Sequence, residues 1–233
     1  MEKYVVQKTK REVPGVVTLS LAYENGSVPK HRSGQYINIF FKDASTPEGK
    51  AYSISSAPDE ETFKITVRDI GEFSNKLCNM KKGDVINATL PYGFFRPENS
   101  DTNLIMLAAG IGVTPFRSII RNAVACNQTR KINLFHSIRN SEDAIFDKEF
   151  LELSRTNKNF STTRFVTREN TPKLRDAIKG RIDIQKILKC VQSDTHTEFL
   201  ICGSVPFTRD LWKTLVNNGV SEDYIYTEAF FSH

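Results

Sequence analysis

The chain has 233 residues, of which 39% are hydrophobic and 25% are charged. These proportions are ordinary for a globular protein, and they exclude a disordered chain, a collagen-like fibre and a coiled coil. The excess of 32 basic over 27 acidic residues gives a net charge of +5. That charge is too small to indicate nucleic-acid binding, but it would steer an acidic partner towards the protein.

The sequence predicts a cytoplasmic protein without a metal site. Its cysteines are far apart and show neither zinc-ligand spacing nor the close grouping of an iron–sulfur cluster, so we expect reduced thiols. The start of the chain lacks the unbroken apolar stretch of a signal peptide. The longest apolar run, Leu104 to Val113, is far shorter than the roughly 20 residues that span a bilayer. We therefore expect no membrane insertion.

The first part of the chain, to about residue 97, predicts a small antiparallel β-barrel. Short segments rich in β-branched residues alternate with turn signals such as Asn25-Gly26. A short helix is predicted from Phe73 to Met80. The predicted strands cover residues 16–21, 36–41, 51–55, 63–67 and 85–90.

The pattern changes after the polar, turn-rich segment 97–101, which we interpret as a linker. Short apolar strands then alternate with amphipathic helices, which is typical of a parallel sheet with helical crossovers. The predicted strands cover residues 104–109, 132–137, 161–166, 198–202 and 224–227. A barrel followed by an open α/β sheet is therefore the predicted fold.

A glycine turn with the sequence GIGVTP follows the first predicted parallel strand, at residues 110–115. Such a turn lets the backbone approach a ligand closely, and the helix after it offers N–H groups and a positive dipole end to a pyrophosphate. We place Thr114 at the N-cap of this helix and Pro115 at its first position. Proline replaces the third glycine of the common Gly-x-Gly-x-x-Gly pattern. The turn alone predicts either a dinucleotide site or a plain connection between strand and helix.

Three further motifs occur in a fixed order with this glycine turn. They are Lys50-Ala51-Tyr52-Ser53, Gly71-Glu72-Phe73-Ser74, and Cys202-Gly203-Ser204-Val205-Pro206 followed by Glu228-Ala229-Phe230. Together with the turn, they resemble the flavin, flavin-phosphate, nicotinamide-dinucleotide and C-terminal signatures of the ferredoxin–NADP⁺ reductase superfamily. The motifs stand in that family's order and at its spacing, and the resemblance covers nearly the whole chain.

The resemblance implies both a fold and an activity. The fold is an antiparallel FAD-binding β-barrel over residues 1–98, followed by a Rossmann-like NAD(P)-binding α/β domain over residues 99–233. The activity is the movement of hydride between NAD(P)H and bound FAD, with FMN less favoured, and the transfer of electrons to a small redox protein such as a ferredoxin or flavodoxin. The alternatives are a reductase that releases free reduced flavin and an electron-transfer subunit of a larger complex.

The first two motifs imply a flavin site. Tyr52 is expected to pack on the isoalloxazine ring, and Ser53 to hydrogen-bond near its N5 atom. Lys50 stands where the family usually has arginine, and it supplies charge without a bidentate fork, which predicts a more weakly held flavin. The flavin-binding residues that the resemblance implies are Lys50, Ala51, Tyr52, Ser53, Thr66, Val67, Arg68, Gly71, Phe73 and Ser74.

The last two motifs imply a nicotinamide site. Cys202 is expected beside the nicotinamide C4 atom as a packing element, and Glu228 near the reacting ring, where it tunes hydride transfer or relays a proton. With Ser53 they form the implied catalytic set. Arg139, with no acidic residue before Glu142, favours NADPH over NADH, although NADH stays open. The nicotinamide-binding residues implied are Gly110, Gly112, Thr114, Pro115, Ser137, Arg139, Cys202 and Gly203.

Aromatic and basic residues outside the motifs complete the prediction. Phe231, or else Phe230, is expected to cover the flavin. Tyr92, Phe94 and Phe95 offer a surface for the FAD adenine, or else they seal the interface between the two domains. An acidic redox partner is predicted to dock on a basic face. The residues of this basic face are Lys30, His31, Arg32, Lys76, Lys81 and Lys82.

Overall fold

The computed structural model describes residues 1–41, 46–97, 101–191 and 196–230, which divide into two units. Of the described residues, the first unit contains those in Met1–Phe94 and Thr114–Ala125, and the second contains those in Phe95–Val113 and from Cys126 to Phe230. The predicted domain boundary at residue 98 lies outside the described residues and stays a prediction. Within the described ranges, every helix is too short or too polar to traverse a lipid bilayer.

The first unit is built on an antiparallel sheet whose two edges meet. Its strands lie in the order β4-β3-β6-β1-β2-β5. Their bounds are Glu2–Val13 (β1), Val16–Tyr23 (β2), Tyr36–Phe40 (β3), Lys50–Ser53 (β4), Phe63–Arg68 (β5) and Val85–Ala88 (β6). An isolated antiparallel bridge between Ile54, just after β4, and Ile65 in β5 joins the two edges. The sheet therefore curls into the predicted barrel, which is confirmed.

Strand β1 lies between β6 and β2 in this sheet, and it is absent from the sequence prediction. It pairs with β6 over its first residues and with β2 along most of its length. Most of its side chains are charged or polar, and only Tyr4 and Val6 are fully buried. The one helix between β5 and β6, α1 at Glu72–Cys78, agrees with the predicted helix to within two residues at each end.

The second unit is a parallel sheet with helices, which confirms the predicted α/β fold. Its strands are Asn103–Ala109 (β7), Ile132–Ile138 (β8), Phe160–Val166 (β9), Ile178–Lys179 (β10), Thr197–Ser204 (β11) and Ile225–Phe230 (β12). Each of these strands pairs with its neighbours in parallel. Its helices are Asp147–Thr156 (α3), Ile184–Leu188 (α4) and Val205–Asn217 (α5). Helix Thr114–Ala125 (α2) follows β7 in the chain but belongs to the first unit.

The winding of this sheet reverses beside β7. The strand order is β10-β9-β8-β7-β11-β12, so the chain adds β8, β9 and β10 on one side of β7 and then β11 and β12 on the other. In open α/β sheets, ligands bind at the carboxyl ends of the two strands that flank such a reversal. Here those strands are β7 and β11, which lead into the glycine turn and the Cys-Gly motif.

Helix α2 begins earlier than the sequence predicts. The chain leaves β7 through a 3₁₀ turn at Gly110–Val113 and continues directly into α2. Thr114 and Pro115 are therefore the first two residues of α2, and the predicted N-cap position of Thr114 is wrong. The reason is that Gly110, at φ +52°, turns the chain out of β7 in a left-handed conformation, after which the 3₁₀ turn leads into α2 without a separate cap residue.

Candidate functional site

The glycine turn and the Cys-Gly motif lie backbone against backbone at the reversal of the sheet. A Cβ atom on Gly112 would lie 2.3 Å from the carbonyl oxygen of Cys202, and one on Gly203 would lie 2.8 Å from the Cβ of Ala109. Neither position has room for a side chain. Gly110 is different, since nothing lies within 4 Å of its Cβ position, and glycine there serves the positive φ. The two turns therefore pack tightly against each other at the carboxyl ends of β7 and β11, and we call this place the edge.

His136 holds the glycine turn in place, and sequence reasoning missed it. This buried residue lies near the carboxyl end of β8, and its Nε2 atom is 2.9 Å from the Gly110 carbonyl oxygen. Because a carbonyl only accepts, Nε2 carries the proton in this hydrogen bond. The available signal was a histidine at an inward position of an apolar strand, but the contact with a residue 26 positions away cannot be deduced from spacing.

Cys202 and Glu228 are neighbours on adjacent strands. They are paired in the register of β11 and β12. Cys202 is fully buried, and burial, followed by the nearby charge of Glu228, raises the pKa of its thiol. Burial also raises the pKa of Glu228 to about 7 from its ordinary value of 4.5. The thiol therefore stays protonated at neutral pH, which suits a packing element and not a nucleophile, whereas the carboxyl group titrates near pH 7.

An aromatic cluster lies beside β4 in the first unit. The rings of Tyr52 and Phe73 are nearly parallel, with centroids 6.2 Å apart, and Phe41 packs on Phe73 with centroids 4.7 Å apart. Lys50 Nζ lies over the Phe73 ring, 5.8 Å from its centroid. Burial raises the pKa of Tyr52, so its hydroxyl stays protonated. Tyr52 is half-buried while Ala51 beside it is exposed, so this cluster presents a partly open aromatic surface.

Ser53 ends β4 with a buried hydroxyl group. Its side chain is 5% exposed, and within the described part of the chain its Oγ atom has no hydrogen-bond partner. Buried polar atoms are nearly always hydrogen-bonded in folded proteins, and an exception calls for an explanation. A ligand that hydrogen-bonds to this oxygen is one such explanation.

Strand β5 turns the Thr66 side chain into the barrel. Its Oγ1 atom lies 2.9 Å from both Thr18 Oγ1 and Ser55 Oγ. The Thr66 side chain is therefore engaged inside the barrel, and any contact of Thr66 with a ligand at this strand end has to come from its backbone. Arg68 is half-buried at the last position of β5.

The Gly71–Ser74 turn uses its own hydroxyl group. Ser74 Oγ accepts hydrogen bonds from the N–H groups of Ile70 and Gly71, at 2.9 and 3.1 Å, and donates to the Gly71 carbonyl at 3.0 Å. In this arrangement the hydroxyl of Ser74 caps α1 instead of offering a hydrogen to a phosphate. The N–H groups of Glu72 and Phe73, in the first turn of α1, have no carbonyl partner within the helix and remain the donors of this motif.

Around the carboxyl ends of β8 and β9, some charged side chains are paired or hydrogen-bonded and others are exposed. Arg164 is buried and pairs with Asp147, with 3.2 Å between Nε and Oδ1. The Glu169 carboxylate accepts hydrogen bonds from the Ser141 N–H and hydroxyl, at 2.8 and 2.6 Å, and the hydroxyl bond is the largest cause of its lowered pKa. Arg139 and Ser137, the predicted ligands, are exposed and half-buried respectively at the end of β8.

The remaining predicted residues are aromatic, and they differ in how exposed they are. Tyr92 packs on Tyr36, with ring centroids 4.3 Å apart, whereas Phe94 is 85% exposed. Phe230 is half-buried at the end of β12, and Phe231 lies outside the described residues. Phe95 is half-buried.

One residue of the predicted basic face, His31, is half-buried and engaged in contacts within the first unit. Its Nε2 atom lies 3.1 Å from the Ser56 carbonyl oxygen, and its ring packs edge-on against Phe63. It therefore holds a loop in place. The other members are exposed, and they are Lys30, Arg32, Lys76, Lys81 and Lys82.

The sequence of this chain matches one family model and is similar to flavohemoproteins. The family model described as the oxidoreductase NAD-binding domain matches residues 106–213. A flavohemoprotein from Bacillus subtilis (strain 168) is 29% identical over 236 residues, which cover 97% of this chain and 58% of the relative. This chain thus spans somewhat less than two thirds of the length of that relative.

Solved structures match both units. The FAD/NAD-binding domain of a nitric oxide dioxygenase from Vibrio cholerae O1 biovar El Tor is 22% identical, with a TM-score of 0.85 over 98% of each chain. A ferredoxin–NADP⁺ reductase from Neisseria gonorrhoeae, solved with bound FAD and NADP, is 25% identical, with a TM-score of 0.79 over 98% of each chain. Since the matches cover nearly the whole chain, the barrel and the parallel sheet both have the fold of these proteins.

Proposed function

We propose that this chain, which belongs to the ferredoxin–NADP⁺ reductase superfamily, moves hydride from NAD(P)H to bound FAD and passes the electrons to a separate redox protein. One observation carries this proposal: within the described residues, Ser53 Oγ and Glu228 Oε2 are buried without a hydrogen-bond partner. Both residues belong to motifs that the resemblance assigns to the reacting rings. Burying such atoms costs stability, and bound cofactors would supply the missing partners.

The first unit provides groups that suit a flavin. Tyr52 offers an aromatic face, Ser53 a buried hydroxyl, and Lys50 a positive charge beside the ring cluster. The N–H groups of Glu72 and Phe73 suit a phosphate at the start of α1. Bound FAD would accept the hydride of NAD(P)H and release its electrons to an acceptor.

The second unit provides the edge for the cosubstrate. Open space around the Cβ position of Gly110 leaves the backbone there accessible to the pyrophosphate of NAD(P)H, while Gly112 packs the turn against Cys202 and His136 fixes it. Cys202 gives the nicotinamide an apolar, uncharged neighbour, because its thiol is buried and protonated. Glu228 lies on the adjacent strand, in register with Cys202.

Flavin reduction is expected to become faster as the pH rises through about 7. The nicotinamide ring becomes positive as hydride leaves, and the ionised Glu228 carboxylate stabilises that charge, whereas the protonated form does not. Since the pKa of Glu228 is raised to about 7, the ionised form is the minor one below this pH. Stopped-flow measurement of the limiting reduction rate from pH 5.5 to 8.5 tests this.

Two variants control the pH profile. Glu228→Gln removes the titrating group, so its profile should lack the inflection near 7. Glu222→Gln changes an exposed carboxylate before β12 and should keep it. An inflection that persists in the Glu228→Gln variant would assign it to another group.

Arg139→Ala is expected to raise the KM for NADPH about 10-fold and that for NADH less than about two-fold. The reason is that an exposed guanidinium at the end of β8 can pair with the 2′-phosphate, which only NADPH carries. Steady-state kinetics with both cosubstrates measures the two constants. Arg155→Ala, an exposed arginine in α3, is the control. An equal rise in both constants would remove the preference for NADPH.

The basic face supports an acidic acceptor of the ferredoxin or flavodoxin type. Its exposed lysines and arginine, with the net charge of +5, favour encounter with a negatively charged surface. Such an encounter weakens with added salt, because charges at exposed sites are screened. Electron transfer to this acceptor should therefore slow as the ionic strength rises.

A haem protein is the second candidate acceptor. The observation that favours it is the similarity to a flavohemoprotein, of which this chain matches 58% of the length. The matched share leaves a large part of that relative without a counterpart here. Electrons from this chain would then pass to a haem protein in place of a ferredoxin or flavodoxin.

A visible absorption spectrum of the purified, desalted protein tests the proposal. Flavin bands near one FAD per chain, bleached by NAD(P)H under anaerobic conditions, are the expected result. The reduced protein is then mixed with a ferredoxin, a flavodoxin, a ferric haem protein or free flavin. Bands that appear only when flavin is added would favour the free-flavin reductase, and a protein that never binds flavin would refute the proposal.

A further inference from the structure

Two buried polar residues of α2 bind the chain just after Ser53. Arg117 donates a hydrogen bond from one guanidinium nitrogen to the Ser55 carbonyl at 2.6 Å. Ser118 Oγ donates to the Ser56 carbonyl, also at 2.6 Å. Both α2 side chains are buried, Arg117 being 8% exposed and Ser118 fully covered. We call these contacts, with Glu60, the α2 clamp.

Glu60 completes the clamp from the loop before β5. Its Oε1 atom lies 2.9 Å from the Arg117 guanidinium and accepts a hydrogen bond from the Ala57 N–H at 3.1 Å, while its Oε2 atom pairs with Lys64 at 2.5 Å. Burial opposes ionisation, but the Lys64 hydrogen bond and the Arg117 charge prevail and lower the pKa of Glu60. The carboxylate is therefore ionised at neutral pH and fixes the direction of the Arg117 side chain.

The clamp joins two segments that carry predicted site residues. Ser53 stands two residues before Ser55, and Thr114 stands three residues before Arg117, all within the first unit. On the barrel side, the Ser55 N–H donates a hydrogen bond to the Lys64 carbonyl in β5 at 2.8 Å. The segment after Ser53 is thus fixed between β5 and the first turns of α2.

We propose that Arg117, held by Glu60, is a positioning residue that sets Thr114 at a fixed distance from Ser53 for hydride transfer. This inference rests on the proposed function, since it needs Ser53 at the flavin and the turn before Thr114 at NAD(P)H. Hydride transfer is sensitive to sub-ångström changes in the position of the reacting groups, whereas binding of either cofactor is less so. The clamp therefore acts on the rate constant more than on affinity.

The decisive experiment compares Arg117→Ala with Arg121→Ala in the full chain. Arg121 lies one turn further along α2, 3.8 Å from the same Glu60 oxygen, but it is half-exposed, and its removal leaves the hydrogen bonds of Arg117 and Ser118 in place. In Arg117→Ala we expect the limiting rate of flavin reduction at saturating NAD(P)H to fall about 10- to 100-fold. The Kd for NAD(P)H and the flavin content should stay near wild type. Arg121→Ala should reduce its flavin at the wild-type rate.

Hydrogen–deuterium exchange provides a readout that does not depend on activity. The amides of residues 53–57 and 114–118 should exchange faster in Arg117→Ala and not in Arg121→Ala. Ser118→Ala is the second variant, in case Arg117→Ala does not fold, and it should show a smaller change of the same kind. A folded Arg117→Ala variant that is reduced at the wild-type rate would overturn the proposal, as would equal effects of Arg117→Ala and Arg121→Ala. If Arg117→Ala does not fold, wild-type reduction and exchange in Ser118→Ala would overturn it.

The two proposals fail in distinguishable ways. If the wild-type protein is not reduced by NAD(P)H, the proposed function is wrong. If the wild type is reduced normally and Arg117→Ala is folded and reduced equally fast, only the positioning role of Arg117 is wrong.

Discussion

Replacing Ser53 by alanine is expected to slow the reduction of bound flavin about 100-fold, which is the usual cost of losing one well-placed hydrogen-bond donor at a reacting group. The change removes a single oxygen atom from a fully formed strand end, so the flavin should remain bound. Anaerobic stopped-flow absorbance at saturating NAD(P)H measures the rate, and the absorption spectrum measures the flavin content.

The same variant should be no less stable without flavin than the wild type. The Ser53 hydroxyl is buried without a partner among the described residues, so its removal relieves a desolvation cost and breaks no hydrogen bond. A thermal melt of the apoprotein tests this. Loss of rate together with retained or increased stability would be typical of a residue that serves function at the expense of folding.

Thr18→Val is the matched control for Ser53→Ala. Thr18 also carries a buried barrel hydroxyl, but that hydroxyl bonds to Glu12 and Thr66, at 2.8 and 2.9 Å. Its removal should lower the melting temperature and leave flavin reduction unchanged. If Ser53→Ala reduces its flavin as fast as Thr18→Val does, Ser53 has no part in hydride transfer.

Replacing Gly112 by alanine is expected to lower the affinity for NAD(P)H at least about 10-fold and to destabilise the fold by about 1–3 kcal/mol. The added Cβ would meet the Cys202 carbonyl oxygen at 2.3 Å and its carbon at 2.6 Å. Both are backbone atoms that no rotamer change can move. The two turns must therefore separate, and the edge on which the cosubstrate is proposed to lie changes shape.

Gly110→Ala separates this crowding from backbone strain. Gly110 has a positive φ but open space around its Cβ position, so alanine there should cost about 1–2 kcal/mol of strain without moving Cys202. Urea denaturation and a fluorescence titration with NADPH compare the two variants. Equal affinities for the cosubstrate would show that contact between the turns does not shape its site.

The sequence predicts strands well where their residues are apolar on a regular period. Strands β7, β8 and β9 agree with their predicted bounds to within one residue, because most of their side chains are apolar or β-branched. Strand β1 is missed because charged residues dominate it and its pairing partners decide its structure. Strand β10 has two residues, too few for any period to appear.

Part of the candidate site can also be predicted from the sequence. Motifs reveal the turns, since glycine is needed where a backbone is crowded or left-handed, as at Gly112 and Gly110. Contacts between distant segments leave no such mark in the sequence. Glu60 and Arg117 are 57 positions apart, and nothing in their spacing indicates that they meet. Even Ser74, inside a recognised motif, uses its hydroxyl in a local cap that the motif does not disclose.

The α2 clamp has a consequence for how this protein can be divided or recombined. A fragment cut at the apparent linker near residue 98 would contain every barrel strand but not α2. The Ser55 carbonyl would lose its Arg117 donor, the Ser56 carbonyl would keep only its contact with His31, and Glu60 would lose its buried cation Arg117. During synthesis, too, the barrel can reach its final form only after the first strand of the parallel sheet has been made. We therefore expect that a fragment able to fold as the barrel needs both Met1–Phe94 and α2, two segments that β7 separates in the sequence.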